Sequence, residues 1–267
     1  MIKAAVLGSP ISHSLSPLLH NTAYAQIGLS ASYEAIEVKA HSLAKFVDER
    51  DASWTGFSLT MPLKEEAISY AKHVDDLALR INSANTLYRK AGEWYATSTD
   101  VIGFRNALEM HKVEVKGHVV ILGAGATARA AAAACDSSQT QITVINRSLA
   151  RVQAMSDAVI ESELSFLNWD DLSVLADADL VISTAPAGVT DSIEIPAKTS
   201  APFFEVLYKP WPTPASAMWA SRGGKVIDGL DLLIHQALAQ IAIFSGETFD
   251  SALMYTKLRE VGLAALK

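Results

Sequence analysis

The chain has 267 residues, of which 50% are hydrophobic and 19% charged, with a net charge of -7. This is a globular composition, far from the charge-rich, apolar-poor signature of disorder, and the scattered Lys and Arg residues form no basic stripe, so no nucleic-acid partner is expected. The length exceeds the roughly 100–150 residues of a common single domain, so two domains are expected.

No run approaches the roughly 20 apolar residues of a membrane span, and residues 4–7 are too short an apolar stretch for a signal peptide, which places the expectation in the cytoplasm with no membrane partner. The lone Cys135 cannot form an internal disulfide, and its Ala-rich surroundings read as a buried helix face. His13, His20, His41, His73, His111, His118 and His235 lack metal-ligand spacing with acidic neighbours, so no metal is expected.

Short apolar runs alternate with helical patterns along the chain, the signature of α/β layers built from βαβ units. The first half predicts strands at residues 2–7, 33–38 and 56–59, with helical stretches between them. Residues 86–88 and 94–96 flank a polar link and predict an antiparallel hairpin on the same sheet. A helix is expected from near Asp100 toward His111, as the connector between domains. The second half restarts the pattern with five strands at 118–122, 141–145, 180–184, 203–207 and 225–227, which fit a doubly wound sheet. Two C-terminal helices follow, near 231–244 and 249–263.

The strand at 118–122 runs into Gly123-Ala124-Gly125-Ala126-Thr127-Ala128 and then an Ala-rich helix. This is the strand-turn-helix context of a Rossmann dinucleotide site. Gly123 permits the tight turn, Gly125 lets backbone approach a diphosphate, and small Ala128 allows close helix packing, with the phosphates at the helix N-terminus. An NAD site usually carries Asp or Glu about 20 residues on, at the end of the second strand. Here Asn146, Arg147 and Ser148 stand at that strand end. A guanidinium suits a 2′-phosphate, so NADP is the expected cofactor. Arg151 either adds a second positive charge or is a solvated helix residue.

The first half contains Gly8-Ser-Pro-Ile-Ser-His13-Ser14-Leu-Ser16-Pro17-Leu-Leu-His20-Asn21, then Thr60-Met-Pro62-Leu-Lys64, Ser83-Ala-Asn85-Thr86 and Ser98-Thr99-Asp100. With the glycine turn and Asn-Arg-Ser of the second half, this set resembles the motifs of the shikimate dehydrogenases in order and spacing, from Gly8 to Gln236. The resemblance implies an N-terminal α/β substrate domain of residues 1–104 plus 239–267, and a doubly wound Rossmann NADP-binding domain of residues 105–238. It implies that Ser14, Ser16 and Thr60 contact a substrate carboxylate, that Asn85, Asp100 and Gln236 bind its hydroxyls, and that Tyr208 and Gly229 lie near substrate and nicotinamide. The small-molecule substrate would be shikimate or 3-dehydroshikimate, and the protein a monomer or homodimer.

Three hydroxyls can hold a carboxylate without a full counter-charge. The competing reading has Ser14 and Ser16 capping the helix after Pro17, and Asp100 capping the connector helix. Lys64 follows Pro62 and is expected in the first turn of a helix, where a cation is unfavourable. That misfit suggests a use in chemistry, with a solvated surface lysine as the alternative. The resulting expectation is a catalytic pair, Lys64 as proton donor to a developing alkoxide and Asp100 bonded to it.

Four positions depart from the family pattern: Ser98 where Asn is usual, Glu205 where Asp is usual, and Val189 and Leu232 where Met is common. A quinate or mixed quinate/shikimate dehydrogenase resembles the chain in the same places. A nucleotide-sensing protein without turnover is the reading from another class.

Overall fold

The computed structural model describes residues 1–197 and 199–267, and the chain divides into two compact units, Met1–Gly103 with Leu233–Lys267, and Phe104–Leu232.

The first unit is laid down as β1 (Ile2–Gly8), α1 (Ser16–Gln26), β2 (Ala31–Glu37), α2 (Leu43–Asp48), β3 (Gly56–Leu59), α3 (Glu66–Tyr70), β4 (His73–Val74), α4 (Asp76–Arg80), β5 (Thr86–Lys90) and β6 (Glu93–Thr97). Its six-stranded sheet has the order β2-β1-β3-β5-β6-β4. β1 pairs parallel with β2 and β3, while β5 runs antiparallel to β3 and β6. The near-continuous apolar run of β1 suits a strand covered on both faces, and Leu7, Phe57, Leu59, Leu63 and Leu87 close the core beside it. The two-residue β4, with half-buried His73 and Val74, has too few residues for any alternation to announce it.

Helix α5 (Asp100–Met110) leads into β7 (Gly117–Leu122), α6 (Ala126–Cys135), β8 (Thr140–Asn146), α7 (Val152–Ala158), β9 (Glu163–Asn168), β10 (Leu180–Ser183), β11 (Phe203–Glu205), α8 (Pro214–Ser221) and β12 (Val226–Ile227). Every pairing in this second sheet is parallel, in the order β12-β11-β10-β7-β8-β9. The order reverses at β7, the switch point of a doubly wound sheet, and sheets of this kind bind ligands outside the carboxyl ends of the strands at that point.

The sheet has six strands where five were expected. β9 is the addition, and its residues are only half-buried, so it lacks the continuous apolar run that marks the interior strands. On the helical face, Ala128 through Cys135 are all buried, and apart from Arg129 their small side chains let α6 pack tightly. Trp219 is fully buried, stacks on Phe203 at 4.9 Å and donates to Ala201 O at 2.8 Å.

α9 (Gly229–Ser245) and α10 (Ser251–Ala265) end the chain, with Asp250 capping α10 through Ala252 N and Leu253 N. Among the described residues no helix is long and apolar enough to cross a membrane.

Candidate active site

Lys64 stands just ahead of α3, which begins at Glu66 with Glu65 as its N-cap. The segment after β3 forms a turn, Leu63 N donating to Thr60 O at 2.9 Å, that buries Leu63 in the core. Ala84 N donates to Lys64 O at 2.9 Å, which fixes the lysine backbone beside the Ser83–Asn85 segment. The cation thus precedes the first helical turn instead of lying within it, and it has an acidic partner.

That partner is Asp100. Lys64 Nζ donates to Asp100 Oδ2 at 2.6 Å, with side chains only 13% and 6% exposed. Asp100 is the first residue of α5, and Gly103 N donates to Thr99 O, so Thr99 occupies the capping position. The carboxylate is accordingly free of capping duty. A charge this sheltered is retained only when paired and hydrogen-bonded, and Asp100 meets both conditions.

Its other oxygen, Oδ1, accepts from Asn85 Nδ2 at 2.8 Å. Asn85 is buried, and Nδ2 also reaches Thr99 Oγ1 at 2.9 Å and Gln236 Oε1 at 3.2 Å. Asn85 Oδ1 accepts from Thr99 N and Thr86 Oγ1, both at 2.8 Å. Gln236 is anchored by its own donation to Leu233 O at 2.8 Å. The structure thus brings Lys64, Asn85, Asp100 and Gln236 into one hydrogen-bonded cluster.

Ser14 and Ser16 form a separate pair, Ser16 N donating to Ser14 Oγ at 3.2 Å. Neither caps α1. Leu15 holds that position without a side-chain hydrogen bond, and Ser16 is the first helical residue. Thr60 follows β3, its N–H donating to Leu7 O at 2.9 Å, while Ser9 N donates to Met61 O at 3.0 Å, so the segments after β1 and β3 lie side by side.

Ser98 Oγ is buried with no hydrogen-bond partner among the described residues. Both Asp100 oxygens are nonetheless engaged, so the shorter side chain leaves the pair intact.

In the second unit, Gly123 has φ +110°, and a Cβ there would lie 2.6 Å from Thr184 Oγ1 just after β10, so only glycine fits this turn between β7 and α6. Gly125 is the N-cap of α6, has no side-chain cap, and faces open space where a Cβ would stand. Ala124 and Ala128 are buried, whereas Ala126 and Thr127 remain partly accessible at the helix start. An open helix N-terminus fits a diphosphate.

At the end of β8, Asn146 Nδ2 donates to Ser148 O at 2.6 Å and turns the chain, leaving Arg147, Ser148 and Arg151 exposed. The donor set fits a phosphorylated ribose and contains no carboxylate to repel it. Gly229 opens α9, its N–H donating to Leu207 O at 3.2 Å, next to half-buried Tyr208.

Sequence reasoning missed Ser58, Thr86 and Gln240 as neighbours of this cluster. The available signal was Gln240 itself, a lone polar residue in the otherwise apolar run 237–244, one helical turn beyond Gln236. Glu205, noted earlier only as a departure from the family pattern, is fully buried at the end of β11. Burial pushes its carboxyl up to about 7, offset in part by a long hydrogen bond from Leu207 N at 3.4 Å.

A mixed α/β unit carrying a sheltered Lys-Asp pair, together with a doubly wound unit carrying a dinucleotide-type turn, defines a nicotinamide-dependent oxidoreductase class. Residues 6–87 match the shikimate dehydrogenase substrate binding domain, and residues 107–190 match the shikimate / quinate 5-dehydrogenase model. Over 248 residues the chain is 32% identical to the shikimate dehydrogenase (NADP(+)) of Ignicoccus hospitalis, covering 91% of this chain and 92% of that one. The crystal structure of Mycobacterium tuberculosis shikimate dehydrogenase superposes with a TM-score of 0.85 at 35% identity, covering 97% of this chain and 100% of that one. The Thermus thermophilus shikimate 5-dehydrogenase in complex with NADP(H) and shikimate gives 0.86 at 30% identity, covering 97% and 99%. The chain belongs to the shikimate dehydrogenase family.

Proposed function

We propose that the chain is an NADP-dependent shikimate dehydrogenase, reversibly reducing 3-dehydroshikimate to shikimate on the route to aromatic amino acids. The observation that carries this reading is the Lys64–Asp100 pair, sheltered and oriented by Asn85. Residues 1–104 with 239–267 hold the substrate together with Gln236, and the remainder of residues 105–238 holds the cofactor.

When bound, NADP supplies or accepts the hydride. As negative charge develops on the ring oxygen during reduction, the Lys64 ammonium donates a proton to it, and in the reverse direction Lys64 takes the hydroxyl proton. Asp100 holds the ammonium in place and accepts from a neighbouring substrate hydroxyl. Asn85 and Gln236 bind hydroxyls, while Ser14, Ser16 and Thr60 donate to the carboxylate.

The turn from Gly123 to Ala128 receives the diphosphate through backbone N–H groups. Asn146, Arg147, Ser148 and Arg151 take the phosphorylated ribose, and Tyr208 and Gly229 serve substrate and nicotinamide. A chain whose one cysteine is buried needs no oxidising compartment, which supports a cytoplasmic enzyme, working as a monomer or homodimer.

Oxidation of shikimate and of quinate, each with NADP+ and with NAD+, tests the reading. The shikimate and NADP+ combination is expected to dominate. A preference for quinate would replace this substrate assignment, and binding of NADP without turnover of either acid would replace the enzyme by a nucleotide sensor.

A further inference from the structure

Gln240 is buried on α9, one turn beyond Gln236, and makes hydrogen bonds at both ends of its amide. Its Nε2 donates to Asn85 O at 2.9 Å and to Thr86 Oγ1 at 2.9 Å. Its Oε1 accepts from Ser58 Oγ at 2.7 Å. Ser58 Oγ in turn accepts from Tyr33 Oη at 2.6 Å.

These bonds have a direction. Tyr33 donates into the Ser58 hydroxyl, so the Ser58 proton is turned toward Gln240. That sets which end of the Gln240 amide is oxygen, and its nitrogen then donates into the Thr86 hydroxyl. The Thr86 proton is left to point at Asn85 Oδ1, 2.8 Å away. With Oδ1 committed as acceptor to Thr86 and to Thr99 N, the Asn85 nitrogen must face Asp100 Oδ1. A flipped Asn85 amide would set its oxygen against that carboxylate, a repulsive contact at this depth.

The helix can reach so far into the sheet because of Gly56 on β3, where a Cβ would lie 2.4 Å from Phe244 Cε1, one turn beyond Gln240. The upstream end of the chain of bonds is equally enclosed. Tyr33 stacks on His20 at 3.9 Å, and burial lowers the His20 imidazole to about 3, so it is neutral in this network.

We propose that Gln240 is a positioning residue for the proton-transferring pair, acting through Thr86 and Asn85 to fix the orientation of Asp100 and hence of Lys64. The inference rests on the proposed role of Lys64 and Asp100. Gln240 touches neither of them, so its effect is on the geometry of the reacting groups and belongs in kcat.

The test is a kinetic cycle on the full chain. Gln240→Met keeps the length and approximate volume and removes every hydrogen bond. It is expected to lower kcat for shikimate oxidation roughly 10- to 100-fold, with the KM for NADP+ unchanged. Gln240→Glu retains the acceptor toward Ser58 but sets an oxygen against the Asn85 carbonyl. It is expected to lose as much activity as the Met variant, whereas a merely space-filling role predicts near wild-type kcat.

Thr86→Val interrupts the same relay one step on. The double variant Gln240→Met with Thr86→Val should be no slower than the worse single variant, whereas independent structural effects would multiply. Should Gln240→Met fail to fold, Thr86→Val and Gln240→Glu carry the comparison. Lys64→Met, measured alongside, separates the two layers. If Lys64→Met is inactive while the Gln240 and Thr86 variants keep wild-type kcat, the positioning role is overturned. If Lys64→Met keeps its rate, the underlying assignment of the pair is overturned instead.

Discussion

Lys64 Nζ and Asp100 Oδ2 lie 2.6 Å apart although 36 positions separate the two residues in the chain. The lysine is delivered by a turn after β3 whose backbone is tied to Ala84, and the aspartate by the first residue of α5. Asn85, adjacent to Ala84, closes the triangle by holding the second Asp100 oxygen. The proposed proton donor and its anchor are therefore each placed by backbone, the lysine by the turn after β3 and the aspartate by the start of α5.

Lys64→Met keeps the bulk of the stem while removing the charge and the proton. Negative charge reaches the substrate oxygen chiefly in the transition state, so kcat should fall about 10²- to 10⁴-fold, with a much smaller change in substrate binding. Steady-state kinetics with an equilibrium titration of NADP+ checks both. A folded variant retaining more than roughly a tenth of wild-type kcat would remove the lysine from the chemistry.

Arg147 is exposed at the end of β8, beside the chain reversal held by Asn146. Arg147→Ala is expected to raise the KM for NADP+ by one to two orders of magnitude and to leave that for NAD+ nearly unchanged, since a charge-assisted contact contributes about 1.5–3 kcal/mol. Equal weakening toward both cofactors would show that the guanidinium does not read the 2′-phosphate.

Ser14 Oγ accepts from Ser16 N but does not cap α1. Ser14→Ala should raise the KM for shikimate with the KM for NADP+ held, and should cost about 0.5–1.5 kcal/mol of stability from the lost local bond. A fall in Tm with an unchanged shikimate KM would leave the serine a structural part only.

Glu205 gives the enzyme a pH-dependent stability. Burial raises its carboxyl from 4.5 to about 7. Below that lower value folded and unfolded chains both hold the proton, while between the two values the unfolded chain releases it and the folded chain keeps it. Stability contributed by this site is therefore present below about pH 4.5 and lost as pH rises through about 7. Glu205→Gln should flatten the profile, recovering up to about 3 kcal/mol at the alkaline end. Denaturant unfolding at about pH 5 and about pH 8 measures the slope, and an unchanged slope would place the titration elsewhere.

The elements whose signals are local were legible in the sequence. The β7 strand, the Gly123–Gly125 turn and the Ala-rich α6 are adjacent in the chain, and each is specified by residues within a turn or two of itself. The same holds for the antiparallel β5–β6 hairpin. Where periodicity is weak, local reading failed. β4 is two residues long, β9 has only half-buried residues, and the Lys64 turn resembles a helix start because Pro62 suits one.

Which side chains meet was decided by the tertiary structure. Asn85 and Gln240 are separated by 155 positions, and no spacing rule connects them. Their contact exists because α9 packs against β3 and β5 where Gly56 leaves room. The residue types needed for the chemistry are written along the chain, because hydrogen-bonding capacity and charge belong to single residues. Their orientation comes only from the assembled sheet and its covering helix, because each donor in the relay is aimed by the acceptor that another strand or helix places in front of it.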